Sequence, residues 1–502
     1  MDSGSKHEIT TTSVWHADDS LNGSPCPAYD KANTTRQLCI LGISISWIVS
    51  IICVGLGLHT LVRDPEGGEA FFPPMSKGAH VAIPLALNVA VSFCTDCLGY
   101  VHSTSLRWAL WHEGRLAFTS NLRIFTSSKS SWPNRWHSNL LGAISLIACY
   151  TATSQILMPS STAYFQYGSD HVTRRTSLNG VAVLALGLGI LFQAIISTAC
   201  LASHPERILT WSSSPFTITL ASLQNGLQHR DGRCMMSAES ANGPTIAVEA
   251  KTRQPSSYRT DRSVRYIVSI LWVLFALCLL WAVVVLVVNK HVYGRDDFSP
   301  SLFAGDVWFG VTQSGSLVSE HAITLFLIGA WQALVTLSTH VVELLVNRSR
   351  DEGLWRKVAS NTGSSPGTNI RYNSFVAALS SWQTLTLFTF KPIIHWVFGL
   401  GLYQEETALI LVEMSYLALF LLSVVTFFLA VFGTSLALQR PKGNLPSSWG
   451  HVQTLADLVD DWADGTRLYW GDKGINNDGT RHAGTSGMKE SVGEIQAGCC
   501  YS

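Results

Sequence analysis

Apolar residues along this chain gather into eight long runs, at 37–59, 78–100, 139–158, 178–201, 266–288, 321–346, 375–400 and 408–434. Each is close to the ~20 residues that a helix needs to cross the hydrocarbon core of a bilayer. In lipid, only helices and closed barrels satisfy every backbone donor and acceptor. The pattern predicts an all-α fold: a polytopic transmembrane helix bundle of about eight spans over 37–434. A polar tail, 1–36, precedes it and a second tail, 435–502, follows. The connections at 101–138, 202–265 and 347–374 are long, and the alternate ones are short.

Charge orients the bundle. Of the 34 Lys and Arg residues, 27 fall in the two tails and the long connections, six fall in the short connections, and Lys391 lies within a span. Basic residues stay on the cytosolic side, so the long connections, the N-terminus and the C-terminus are expected to be cytosolic. The first 36 residues lack the pattern of a cleavable signal, and the first span is expected to act as an uncleaved anchor. The acceptor triplets at Asn22, Asn33 and Asn347 fall on the cytosolic side and are expected to stay unglycosylated. Only 14% of residues are charged, against about 25% in soluble domains. The net charge of zero gives no case for nucleic-acid binding. The bilayer is the implied partner, with protein partners reached through the cytosolic loops.

Between the runs, four local expectations arise. The basic and aromatic stretch 105–116 suits a helix lying in the headgroup layer. Ser214-Pro215 opens a helix over Phe216–Leu223, and 238–263 reads as unstructured. Lys391-Pro392 predicts a kink or break in the seventh span. In the tail, His451–Trp462 predicts an amphipathic helix burying Val452, Leu455, Leu458, Val459 and Trp462. The terminal Cys499-Cys500-Tyr501-Ser502 sits where a lipidation box would. No internal repeat is evident, and an inverted duplication of the two sets of four spans finds no support.

Ionisable groups in hydrocarbon cost roughly 2.5–3.5 kcal/mol at mid-helix and face the bundle interior when they persist. The second span carries His80, Asn88 and Asp96 at four-residue multiples, hence on one face. The sixth carries Gln332, Thr336 and His340 in the same spacing, with Glu343 one turn on. The seventh has Lys391 and His395, and the eighth has Glu413. Depth along the spans predicts an outer pair Lys391–Glu413 and an inner cluster Asp96–His340–Glu343. The third and fourth spans read as packing elements: Gly142, Ser145, Cys149 and Ala152 form a small-residue face on the third, and Ala185 and Gly189 allow close approach on the fourth. Zinc-helix, nucleophile-elbow, phosphate-loop and paired-aspartate patterns are missing, and no cofactor or metal is predicted. Cys94 and Cys97 share a span and lack the second ligand pair that a metal needs.

Four stretches together resemble an uncharacterised family of multi-pass membrane proteins from filamentous fungi. They are His102–Leu116, Thr210–Pro215 with Gly232–Met235, Glu343–Glu352, and the tail from Gly450 to Ser486. The resemblance implies membrane residence and a fungal source, and no substrate. Taken with the intramembrane polar residues, the leading expectation is transport or permeation of a small polar solute or ion, proton-linked through His340 and Glu343. A non-catalytic scaffold and a membrane enzyme acting on a lipid or secondary metabolite are the alternatives.

Overall fold

Eight long helices carry the eight apolar runs. A computed structural model describes residues 29–72, 77–163, 172–203, 205–292, 307–310, 316–359, 368–369, 376, 380–406, 410–462, 467–476 and 479–502. The long helices are α1 (Asn33–Arg63), α2 (Lys77–His112), α3 (Trp136–Gln155), α4 (Gly180–Ala202), α5 (Arg262–Val292), α6 (Leu317–Arg356), α7 (Trp382–Gly401) and α8 (Tyr416–Leu438). Side-chain oxygens fix several starts. Asn179, Ser316, Ser381 and Ser415 accept from the third backbone amide of α4, α6, α7 and α8. The caps at Ser381 and Ser415 place the starts of α7 and α8 about two turns later than the apolar runs suggest. Pro392 lies inside α7, which continues unbroken to Gly401.

Six of these helices, α1, α2, α4, α5, α6 and α8, are long and apolar enough to cross a membrane. Helices α3 and α7 have 20 residues each, but buried Ser, Thr, Tyr, Lys and His residues lower their hydropathy.

The fold is mostly helical without being all-α, because the connections and the tail form two sheets. Strands β1 (Glu69–Phe72), β2 (Leu157–Ala163), β3 (Val172–Asn179), β5 (Val307–Gly310), β7 (Leu402–Glu406) and β8 (Ile410–Met414) form one, in the order β1-β3-β2-β7-β8-β5. Each of these strands follows an odd-numbered helix. Strands β4 (Val248–Glu249), β6 (Thr368–Asn369), β9 (Arg467–Ile475), β10 (Arg481–Ser486) and β11 (Cys500–Tyr501) form the other. They come from the connections after α4 and α6 and from the tail. Short segments pair because buried backbone amides need partners, a demand that side-chain periodicity does not report.

The order of elements also shows an internal duplication. Helices α1–α4 and α5–α8, with the strands of the six-stranded sheet, each run helix, strand, helix, helix, hairpin, helix; β6 is an extra strand between α6 and α7. Exchanging the halves turns the six-stranded order into its own reverse. Helix contacts exchange likewise: α1 packs on α4 as α5 packs on α8, and α2 meets α7 as α6 meets α3. Trp47 Nε1 donates to Thr198 Oγ1 at 3.1 Å, and Trp272 Nε1 donates to Thr434 Oγ1 at 3.0 Å. Each half has its own apolar core. Small residues tighten it: a Cβ on Gly189 would lie 2.9 Å from the Ser145 carbonyl oxygen. The equivalent strands β2 and β7 pair in parallel, which accords with a parallel rather than an inverted relation between the halves.

The long connections and the tail pack into one layer. Stretch 105–116 is no separate headgroup helix: α2 runs on to His112, and Trp108 is buried with Nε1 donating to the Thr210 carbonyl. A helix does form over Pro215–Gln224, as the Ser-Pro turn predicts. Segment 238–263 is ordered, because its backbone bonds to the tail through Ala238 N to Ser447 O and Gln254 N to Pro441 O. The amphipathic tail helix spans Val452–Leu458, and all five of its predicted apolar residues are buried. The end of α6 holds this tail: Trp355 Nε1 donates to Pro446 O, and Glu352 Oε2 accepts from the Trp449 amide.

Candidate functional site

The two halves meet along α2, α3, α6 and α7, and the buried polar residues concentrate there. Lys391 on α7 is buried and donates to Asp96 Oδ1 of α2 at 2.5 Å and to Glu343 Oε1 of α6 at 2.6 Å. His340 Nδ1 lies 2.8 Å from the same Glu343 oxygen. The inner cluster Asp96–His340–Glu343 therefore forms, with Lys391 added to it. The outer pair Lys391–Glu413 does not form. Because α7 starts at Trp382, Lys391 lies mid-helix rather than in its outer half, and it reaches the inner carboxylates. Glu413 is on β8, outside any helix, and accepts from the Tyr403 hydroxyl at 2.6 Å.

Asp96, His340 and Glu343 offer ligand atoms within 4.8 Å of one another, a set able to hold a metal ion. The Lys391 ammonium lies against both carboxylates and supplies the positive charge that such a set attracts. Loss of Lys391 would leave two carboxylates facing each other.

The cluster continues toward the six-stranded sheet. The Tyr150 and His395 rings stack with centroids 3.6 Å apart. Gln332 Nε2 donates to His395 Nδ1 at 2.6 Å, and Tyr150 OH donates to Ser92 Oγ at 3.2 Å. Asn88 donates to the Pro84 carbonyl and accepts from Thr153. The side chain of His80 lies outside the described residues.

The duplication explains this grouping. Asn88, Ser92 and Asp96 stand 244 residues before Gln332, Thr336 and His340, and Tyr150 stands 245 before His395. The stripes on α2 and α6 thus take equivalent places in the two halves, and the stacked rings come from equivalent helices.

Helix α6 carries the longest polar stripe. His321, Thr324, Gln332, Thr336 and His340 are buried on one face, with Ile328 as the apolar interruption. Near its start His321 Nδ1 is 3.2 Å from Gln404 Oε1, and Asn179 Nδ2 donates to that same oxygen. His321 Nε2 lies 3.2 Å from Glu69 Oε1, within ion-pair range but off the angle of a hydrogen bond. Buried atoms without a hydrogen bond line this route: both Glu69 oxygens, Gln404 Nε2, Thr324 Oγ1, Thr336 Oγ1 and His340 Nε2. Such atoms call for ordered water or a polar ligand. The sequence reading missed His321 and Thr324, which extend the same helical face by further turns. It also missed Tyr150, which the spacing of α3 against α7 could have paired with His395.

A cavity of about 170 Å³ adjoins the Lys391 cluster on the side of the tail layer. Asp96, Glu343, Lys391, Arg107, Arg123 and Arg350 are among its walls. That volume is well above the ~10–15 Å³ that one water needs. No family model matches this chain, and neither does any curated protein or solved structure.

Proposed function

We propose that the protein is a membrane carrier for a small polar solute, proton-linked through His340 and Glu343. The observation that carries this reading is the buried polar stripe of α6, running from the Glu69–His321 group to the Glu343 cavity. His321 and Glu343 are 22 residues apart in sequence, or ~33 Å of helix at ~1.5 Å per residue. That matches the ~30 Å hydrocarbon core. Parallel repeats with a polar site at their interface suit alternating access by rocking one half against the other. The buried atoms without hydrogen bonds argue against a dry scaffold, which would bond them internally.

The same reading has eight crossings and both termini in the cytosol. Every strand of the six-stranded sheet follows an odd-numbered helix, and every connection or tail segment in the other sheet follows an even-numbered one. Helices α3 and α7 therefore run end to end like the six more apolar helices. The long basic connections gather with the tail layer, which the charge count assigns to the cytosol.

Proteoliposomes with an internal pH reporter test the function, using a panel of small organic and inorganic solutes. A solute-dependent pH change is expected with the wild type. It should fall at least ten-fold in His340→Ala and in Glu343→Gln. Absence of any solute-dependent proton movement across the panel, or full activity in both variants, overturns the proposal.

A further inference from the structure

The cavity beside Lys391 has an imbalance of charge. Its walls carry four cationic side chains and three carboxylates. Three of the cations are committed: Lys391 to Asp96 and Glu343, Arg350 to Asp351 at 3.3 Å, and Arg107 to the carbonyls of Thr119 and Ser212. The fourth, Arg123, is partly buried and makes no hydrogen bond or ion pair among the described residues. Arg123 also lines two smaller cavities, of about 50 and 20 Å³.

Its seat on α2 is specific. A Cβ on Gly99 would lie 2.2 Å from Arg123 Nη1, so a side chain there would push the guanidinium, the end of a flexible side chain, away from the helix. Gly99 stands 244 residues before Glu343, the same spacing that relates Asp96 to His340. Where one half projects a carboxylate, the other has given up its side chain and admits a cation from the 113–135 connection. Ser120 and Thr384 are also among the cavity's walls, and their buried hydroxyl oxygens have no hydrogen-bond partner.

The geometry points to an oxyanion-binding site at Arg123: a phosphate or carboxylate group held by the guanidinium, with Ser120 and Thr384 as hydroxyl donors. A planar guanidinium with free N–H groups suits bidentate contact with such an anion. The cavity neighbours the cluster assigned above to proton coupling. The inference rests on that reading only in casting the anion as the carried solute; the binding itself stands apart from it.

The test uses the full chain in phosphatidylcholine nanodiscs, with inorganic phosphate and succinate as probes and chloride at matched ionic strength as control. Calorimetric binding of at least one probe is expected, weakened ten-fold or more in Arg123→Gln and only partly in Arg123→Lys. Gly99→Ala should weaken binding similarly by displacing the guanidinium, while its melting temperature in chloride stays near wild type. Arg123-dependent binding of a probe that phosphatidic acid in the nanodisc leaves unchanged assigns the site to a free solute. Competition by phosphatidic acid, or Arg123-dependent binding of that lipid alone, assigns it to a headgroup. Binding that persists undiminished in Arg123→Gln, or no binding of any of these anions, overturns the inference. Binding that survives in His340→Ala while no solute moves protons would sink the carrier reading and leave this site intact. Solute-driven proton movement unaffected by Arg123→Gln, with no anion bound, would do the reverse.

Discussion

Lys391 is the residue on which the interior depends most. It joins Asp96 of the first half to Glu343 of the second, and it is almost wholly shielded from solvent. Removing one member of a buried ion group leaves the rest uncompensated, at a cost of about 3–5 kcal/mol. Lys391→Met should therefore destabilise the protein by that order, read as a lower thermal midpoint or earlier unfolding in denaturant. Adding Asp96→Asn removes one of the two carboxylates that then repel each other, and should recover part of the loss. Equal stability of Lys391→Met and wild type would show that the ammonium is not what holds the carboxylates together. Sequence reading reached Asp96, His340, Glu343 and Lys391 individually, because ionisable residues in apolar runs are rare and stand out. It missed the partner of Lys391 because it judged depth from the apolar run, whose first residues precede the Ser381 cap. Arg123 carried no signal at all: an arginine in a basic connection looks like many others, and only the contact with Gly99 sets it apart.

Among the elements, the helices were legible and the sheets were not. An apolar run of about 20 residues declares a helix by length alone. Strands such as β1 and β5, with four residues each, have no comparable signature, and their pairing is decided by which ends the helices bring together. The duplication left a faint trace: Thr219-Leu220-Ala221-Ser222-Leu223 returns as Thr454-Leu455-Ala456-Asp457-Leu458, 235 residues on. The tail elements are tied by Asp460, which follows the tail helix and accepts from His482 Nε2 of β10 and Lys473 Nζ of β9, both at 3.0 Å. The hydrogen bond to Asp460 pushes the His482 pKa from 6.5 up to about 10, with Cys234 adding to it and burial opposing. Burial pushes the Asp460 carboxyl up, but the bonds to His482 and Lys473 outweigh it and hold the group below its usual range. A raised histidine pKa gives stability that is complete below about 6.5 and is lost as pH climbs through about 10. The lowered carboxyl gives stability that is present above its ordinary pKa near ~4 and is lost as pH falls below it. Thermal unfolding of the tail layer, followed by the fluorescence of buried Trp470, should thus plateau in mildly acidic solution and decline toward pH 10. In His482→Gln the alkaline decline should disappear; its survival would mean that the Asp460–His482 contact does not hold the layer.

For the whole molecule, the decisive question is how many times the chain crosses. The charge count and the paired sheets bear on it independently, and both accord with the eight crossings proposed above. The charge argument needs no structure, since it follows from where 27 basic residues fall. The sheet argument needs no charges: β3 pairs with β1 on one side and β2 on the other, and β2 meets β7. If α3 and α7 failed to cross, β2 and β3 would lie on the face opposite β1, and β7 and β8 on the face opposite β5, and the six-stranded sheet could not exist. Accessibility to a membrane-impermeant thiol reagent separates the two cases in a cysteine-free background. Cysteines at exposed Glu66 and Phe309 should both react from outside intact cells. Cysteines at exposed Gln228 and Lys442 should react only after permeabilisation. Labelling of Gln228 from outside together with protection of Phe309 would reduce the crossings to six. It would also break the equivalence of Tyr150 and His395, and with it the case that two like halves enclose the polar route.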